Sequence, residues 1–425
     1  MRLRYVKINE EVNMIQLLHL SDLHLNAGFS NKSNHIREQL KVGNWRSFER
    51  AIQYVLNQPI DGLILAGDIF DNPQIDYKLE REFFSSIKLL MDSQKHVFYV
   101  SGNHDLSEAT PFLNTFKAET YFHMFDIDVP TRKTVDFGNG KILEVVGFGH
   151  HMKMKERDIL REFPIKSNGN PWIGIGHASV LSAKSVGEKT AYMATSLDAI
   201  RRLNYDYFAL GHIHIQQMLS DKIAYSGNLQ GLNYKEIGPK GGLIVTLEGH
   251  DTQVSPVYFN EVLWEAFDFE ISSEIDRLPK LEDAIESFVR DELNEISHDC
   301  QKLIIRLNLS GRTSLYHMLK DAKTIEDLET LLTVKLGLLS LNLKDIGLSN
   351  DIDLESLKRE KTVLALTLDI VDDPEKYPEL MSRLMSLPIF KAQKSNEEKM
   401  AQLKRILEDI QPEIVDRMLK VKYEN

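Results

Sequence analysis

The sequence predicts an α/β protein, a two-sheet β-sandwich flanked by helices, with a small α/β module and a helical C-terminal region after it. Three observations predict this. Five short apolar runs, in LLHLSDLH, GLILAGDIFD, VFYVSGNHD, WIGIGHAS and YFALGHIH, each break at once into polar residues, as buried strands entering loops do. Helical stretches such as NWRSFERAIQYVLN and YKLEREFFSSIKLLMDS separate the first of these runs. Past Phe259 the spacing of apolar residues changes.

Taken in order, residues 1–13 (MRLRYVKINEEVN) are polar and read as an N-terminal extension. The first buried strand begins at Met14, where MIQLLHLSD starts abruptly, and this makes Met14 a candidate for the true start. An intact Met1 terminus on native protein, seen by mass spectrometry, would rule that out. Strands and helices then alternate over 14–259, which should form one domain carrying all five runs. Within 260–350, WEAFDFEIS reads as a strand, KLEDAIESFVRDELNEI as an amphipathic helix and KLIIRLNLSG as a strand. Within 351–425, LESLKREKTVLALTLDIV, YPELMSRLMSLP and EEKMAQLKRILEDIQPEIVDRMLKV have helical spacing of apolar residues, interrupted at Pro388 and KAQKSNEEK.

The polar residues that close the five runs form an ordered series of metal-ligand types: Asp22, His24, Asp68, Asn103, His177, His212 and His214. Carboxylate, amide oxygen and imidazole suit manganese, iron or zinc, whereas a structural zinc would call for thiolates. The chain has one cysteine, Cys300. Two ions about 3.5–4 Å apart can polarise a phosphate and activate a hydroxide for in-line attack, with a carboxylate such as Asp68 bridging them. Asp22 and His24 lie two apart, and so do His212 and His214, so on extended backbone each pair projects to one side. Glycine precedes four of the runs' polar ends, at Gly67, Gly102, Gly176 and Gly211, where it lets the backbone turn and approach closely.

This series resembles the calcineurin-like metallophosphoesterase superfamily, whose pattern is D-x-H, GDxxD, GNH[DE], GH and GHxH in that order. The resemblance implies that Asp22, His24, Asp68 and His214 hold one ion and that Asp68, Asn103, His177 and His212 hold the other, both usually Mn2+. It implies that His104 in GNHD protonates the leaving oxygen or stabilises the transition state, with Asp71 and Asp105 in supporting roles. The wording SDLHL, AGDIFD, SGNHD and LGHIH is similar to the nuclease subunit of bacterial SbcCD-type DNA-repair complexes. The segment SGNLQGLNYKEIGPKGG is similar to a YhaO-like branch of the same group. Ile215 and YSGNLQG depart from the wider pattern, where a basic residue and YPGS are common.

By that resemblance, 14–259 is a metallophosphoesterase catalytic domain, 260–350 a capping domain that restricts which DNA enters, and 351–425 a docking region for an SMC-like coiled-coil ATPase. A homodimer is implied too. The expected function is a metal-dependent DNA nuclease, with a phosphodiesterase of nucleotides or other small diesters as the alternative. A scaffold joining an ATPase to DNA is a third possibility.

Two histidine positions need separate reading. His19, in HLSDLH, has the opposite strand parity to Asp22 and His24 and reads as a hydrogen-bonded core histidine. His150 and His151, with Lys153, Lys155 and Arg157 after them, read as a charge-rich surface loop within reach of a nucleic-acid backbone.

Composition bounds the rest. A length of 425 residues with 42% hydrophobic content supports a folded chain of two or three domains. The lone cysteine excludes a disulfide framework and fits the cytoplasm. No apolar run approaches membrane-spanning length, and no P-loop is present, so ATP hydrolysis would have to come from another chain. The net charge of −12 disfavours unaided binding to DNA, whose affinity for proteins comes largely from cationic neutralisation of phosphates.

Overall fold

The computed structural model describes residues 14–30, 32–71, 75–105, 111–150, 158–181, 193–296, 302–351, 357–359, 362–390 and 395–423. The 1–13 extension, His151, Lys153, Lys155, Arg157, Cys300 and the 391–394 stretch lie outside them. The chain divides into two compact units, Met1–Glu265 with Ser297–Ile305, and Ala266–Ile296 with Arg306–Asn425.

The first unit is a pair of six-stranded sheets. Its elements run β1 (Met14–Leu20), α1 (Asn34–Asn57), β2 (Gly62–Ala66), α2 (Tyr77–Asp92), β3 (His96–Val100), β4 (Phe122–Met124), β5 (Thr131–Asp136), β6 (Ile142–Gly147) and β7 (Trp172–His177). There follow β8 (Val180–Leu181), β9 (Thr195–Ser196), α3 (Leu197–Arg201), β10 (Tyr207–Gly211), β11 (Gln217–Ser220), β12 (Ile223–Tyr225), β13 (Gly241–Glu248) and β14 (Asp251–Tyr258). One sheet has the order β14-β13-β1-β2-β3-β4 and the other β11-β12-β10-β7-β6-β5.

Strands β1, β2 and β3 are parallel neighbours, as are β7 and β10, so their C-terminal ends lie together within each sheet. Crevices beyond such strand ends are where α/β sheets bind ligands. Alternate residues of β1 to β3 face opposite layers. Leu17, Ile64 and Phe98 pack between the sheets with Val145, Ile173, Ile175 and Ala209. Leu18, Leu63, Leu65, Val97 and Tyr99 pack instead on Phe48, Ile52 and Val55 of α1 and on Phe83, Ile87 and Leu90 of α2. Both faces are buried, which explains why these strands read as unbroken apolar runs rather than as alternating ones. On the second sheet, Trp172, Phe208 and Leu210 are covered by Ile159, Leu160, Ile200 and Leu203.

Helix α1 begins ten residues before the stretch NWRSFERAIQYVLN, at Asn34, where Ser33 Oγ accepts from the Ile36 amide. The first residue of that stretch, Asn44, matters to the site. This buried side chain donates to the carbonyls of Leu23 and His24 at 3.1 and 2.8 Å.

In the second unit, apart from residues 262–265 and 302–305, which count with the first, β15 (Val262–Glu270), β16 (Lys302–Thr313) and β17 (Ser340–Asn350) form a three-stranded sheet. They are joined by α4 (Leu278–Glu295), α5 (Tyr316–Lys320) and α6 (Ala322–Leu336). Leu281, Ile285 and Val289 form the buried stripe of α4 at helical spacing. Helices α7 (Val363–Asp372), α8 (Pro378–Met385) and α9 (Asn396–Tyr423) follow, and Val371, Met381, Phe390, Leu403 and Leu407 pack together between them. Among the described residues no helix is long and apolar enough to cross a membrane.

Candidate metal centre

The loops after β1 and β2 continue side by side beyond the strands. Asp22 N donates to Gly67 O, His24 N to Asp68 O and Leu25 N to Ile69 O, at 3.0, 3.1 and 2.9 Å. Asp22, His24, Asp68 and His212 all hold left-handed backbone, with φ of 52°, 44°, 52° and 100°. Non-glycine residues rarely adopt that conformation, and each instance costs on the order of 1–3 kcal/mol unless its surroundings enforce it. Here strained backbone, not strand alternation, aims the side chains. Since β1 ends at Leu20 and β10 at Gly211, the same-side argument from extended spacing does not apply to Asp22 and His24 or to His212 and His214.

The glycines work mostly by lacking a side chain. A Cβ on Gly102 would fall on the Asp68 carboxylate, and one on Gly211 would fall on the Ala66 carbonyl. Only Gly67 among the four flanking glycines is itself left-handed, and a Cβ there would lie 2.5 Å from His177 Nδ1.

Around these loops the donors converge. His24 Nε2 lies 3.2 Å from His214 Nε2, and His214 Nε2 lies 3.8 Å from Asp22 Oδ1. His177 Nε2 lies 3.2 Å from Asp68 Oδ2 and 3.1 Å from Asn103 Oδ1, which is also 3.1 Å from His212 Nδ1. His24 Nε2 is 4.0 Å from Asp68 Oδ2, so that one carboxylate borders both groups of donors. Three sets among the described residues, Asp22 with His24 and His214, Asp22 with Asp68 and His177, and His24 with Asp71 and His104, bring one ligand atom from each member within 4.8 Å of the others.

The second nitrogen of three rings is engaged elsewhere. His24 Nδ1 faces Asp71 Oδ1 at 3.0 Å, His214 Nδ1 faces Glu236 Oε1 at 3.0 Å, and His177 Nδ1 bonds Ala66 O at 2.9 Å. The hydrogen bonds of His214 and His177 hold the proton on Nδ1 and leave the Nε2 lone pair for a cation, the usual arrangement around metal-binding imidazoles, while the contact of His24 with Asp71 lacks hydrogen-bond geometry. The donor set therefore fits two divalent ions.

Asp105 lies behind this array. Its Oδ1 accepts from the amides of Asp68 and Gly102 at 3.1 and 2.6 Å, and its Oδ2 from the Ile69 amide and the Tyr99 hydroxyl at 2.9 and 3.2 Å. Burial, and then the charge of Asp68, push its carboxyl up to about 7. Burial opposes ionisation of Asp68 as well, but the rings of His177 and His24 outweigh it and hold this carboxyl well below its ordinary range. Against burial, the same Asp68 charge raises His177 to about 9.

His104 sits at the edge of the cluster, its ring 5.0 Å from that of His24. Its amide donates to Asp68 Oδ1 at 2.8 Å, and its Nδ1 lies 2.7 Å from the Asp71 carbonyl and 3.6 Å from Asp71 Oδ1. Asp71 thus stands between His24 and His104.

The calcineurin-like phosphoesterase profile matches residues 15–216, the span that holds every donor described above. These residues form a calcineurin-like phosphoesterase domain. The chain carrying that domain is 25% identical over 305 residues to "Uncharacterized metallophosphoesterase YhaO" of Bacillus subtilis, covering 70% of this chain and 72% of the relative. It is 28% identical over 252 residues to "DNA double-strand break repair protein Mre11" of Aeropyrum pernix, covering 56% and 59%. To a component of the nuclease SbcCD of Escherichia coli K12 it is 27% identical over 261 residues, covering 53% and 62%. The last two matches span less than two thirds of those relatives' length.

Within the phosphoesterase domain, all seven sequence-derived ligands lie in one cluster, with His104, Asp71 and Asp105 around it. His19 is a core residue, its Nδ1 2.9 Å from the Tyr207 hydroxyl. His150 differs from expectation. It is fully buried behind the cluster, its Nε2 on the His177 carbonyl, because β6 runs into a loop that packs beneath His177 rather than over the surface. Ser226, Asn228 and Gln230 of YSGNLQG are buried too, whereas Ile215 is exposed. Two supporting residues escaped the sequence reading, Asn44 and Glu236. Glu236 lies in the segment SGNLQGLNYKEIGPKGG, where a single carboxylate amid Gly and Asn residues was the available signal.

Proposed function

We propose that this chain is a DNA nuclease, the metal-dependent subunit of a repair complex with an SMC-like coiled-coil ATPase. The observation that carries phosphoester hydrolysis is the convergence of seven donors around Asp68, with His24 and His214 meeting by Nε2, His177 turning Nε2 to Asp68, and His212 turning Nδ1 to Asn103 Oδ1. The extension to DNA rests on relatives named for DNA double-strand break repair and for a nuclease.

Two divalent ions, which we take to be Mn2+, would be held by Asp22, His24, Asp68 and His214 and by Asp68, Asn103, His177 and His212. Bound there, they supply polarisation of the phosphate and a water acidic enough to deprotonate near neutral pH. The chain's own residues do the rest. Because His104 Nδ1 donates to the Asp71 carbonyl, Nε2 is the atom that hands a proton to the departing sugar oxygen as the P–O bond breaks. Asp71 supports the resulting changes in charge on His104 and keeps His24 aligned. Asp105 holds the Asp68 and Gly102 amides in place.

In the same reading, residues 260–350 act as the capping domain, 351–425 dock the ATPase, and the protein works as a homodimer in the cytoplasm. A second reading, hydrolysis of nucleotides or other small phosphodiesters, is favoured by the net charge of −12.

The test is hydrolysis of end-labelled duplex and single-stranded DNA and of a small phosphodiester, with Mn2+ or with chelator, by wild type and His104→Ala. Manganese-dependent DNA cleavage lost in the variant is the expected result. Turnover of the small diester with DNA untouched, with and without the ATPase, would favour the second reading.

A further inference from the structure

His214 and His177, one from each group of donors, are backed differently. In the Asp22, His24 and His214 group, His214 Nδ1 is hydrogen-bonded to the Glu236 carboxylate at 3.0 Å, and Asp71 Oδ1 lies 3.0 Å from His24 Nδ1 without hydrogen-bond geometry. In the other group, His177 turns Nδ1 toward the neutral Ala66 carbonyl. A carboxylate behind an imidazole makes the ring a stronger donor and fixes its orientation, and losing such a partner typically costs about 10–100-fold in metal affinity.

Glu236 is built for that task. Its Oε1 accepts from His214 and from Asn233 Nδ2 at 3.0 Å each, while its Oε2 accepts from Asn228 Nδ2 at 2.7 Å and from the Leu232 amide at 2.8 Å. Four donors on two oxygens leave the carboxylate a single orientation. Four donors also exclude glutamine as a substitute. If its amide oxygen takes the place of Oε2, its NH2 meets His214 Nδ1 and drives the ring's proton to Nε2, away from where a cation needs a lone pair. If it takes the place of Oε1, the NH2 meets two other donors.

We propose that Glu236 is a positioning residue for His214, and that its carboxylate makes the Asp22, His24 and His214 group the tighter of two unequal metal sites. This rests on the two-metal reading above. It adds an order of filling: the first ion enters this group, and the second enters the group of Asp68, Asn103, His177 and His212.

The test is calorimetric titration of the chelator-stripped full chain with Mn2+, paired with electron paramagnetic resonance at half, one and two equivalents. Wild type, Glu236→Gln and Ile237→Ala are compared. Ile237 is exposed and adjacent to Glu236, so its truncation alters the same loop and leaves all four donors to the carboxylate in place. Wild type is expected to show a tight and a weaker event, with an isolated Mn2+ signal before the coupled one. Glu236→Gln should weaken the tight event about 10–100-fold and leave the weaker one in place. Ile237→Ala should bind as wild type.

Two ions bound by Glu236→Gln with wild-type affinities would overturn the proposal, as would equal loss in Ile237→Ala. Uptake of fewer than two ions by wild type would instead sink the two-metal reading itself. Thermal unfolding of the metal-free proteins separates folding from binding. Should Glu236→Gln not fold, Glu236→Asp takes its place, its shorter carboxylate drawn back from Nδ1. A weakened tight event then supports the proposal and an unchanged one refutes it.

Discussion

His24 and His214 meet nitrogen to nitrogen, their Nε2 atoms 3.2 Å apart, although their positions in the chain differ by 190 residues. Two imidazoles have little reason to approach edge to edge unless a third body, a proton or a cation, lies between or beside them. Asp22 Oδ1 stands 3.8 Å from His214 Nε2 and supplies the charge to attract one.

Metal binding should therefore stabilise the protein. A ligand that binds only the folded state at a hundred times its dissociation constant adds about 2.7 kcal/mol. Melting of chelator-treated protein with and without Mn2+ measures it, and an unchanged Tm would contradict the donor set.

Asp71 and His104 should separate binding from turnover. His104→Ala removes the proposed proton donor and should cut kcat by about 10²–10⁴-fold while two ions still bind. Asp71→Asn touches both His24 and His104, and should reduce metal affinity as well as kcat. Metal content by mass spectrometry, set beside turnover, distinguishes the two.

Asp105 should matter to folding before it matters to chemistry. In Asp105→Asn one acceptor oxygen becomes a donor, facing amides that are already donors. A buried donor left without a partner costs about 1–3 kcal/mol. Urea unfolding of the metal-free protein gives the loss directly.

Acid sensitivity should come partly from His19. Burial depresses this ring from 6.5 to about 3 in the folded state. Between those values the unfolded chain carries a proton that the folded chain lacks, so stability falls as pH falls. One such group contributes about 1.4 kcal/mol per pH unit inside the window. Comparing wild type and His19→Gln by urea unfolding at pH 6.5 and 5 should show the shallower dependence in the variant.

Much of this was legible beforehand because strand and ligand are adjacent in the chain. The runs ending at Leu20, Ala66, Val100 and Gly211 mark parallel strands, and the polar residue next to each is held wherever the strand ends. The paired ligands converge for a different reason from the one their spacing suggests. Spacing by two suggests extended backbone at Asp22 and His24, whereas the loop turns left-handed there, and a one-dimensional pattern carries no φ. His150 was misplaced for a related reason. Its neighbours are charged, and burial is decided by what packs above the residue, not by what flanks it.

By itself, then, the sequence determined the layered α/β fold and the identities of the seven donors, since both follow from short-range chemistry: apolar runs demand burial, and Asp, Asn and His offer metal-binding atoms wherever they sit. Only the tertiary structure decided which ring nitrogen His177 and His214 present. That choice depends on Ala66 O and on Glu236, 22 residues beyond His214, just as the loop of His24 depends on Asn44 of α1, 20 residues away. Hydrogen-bond partners so distant in sequence are selected by how the layers stack, and no local pattern encodes them.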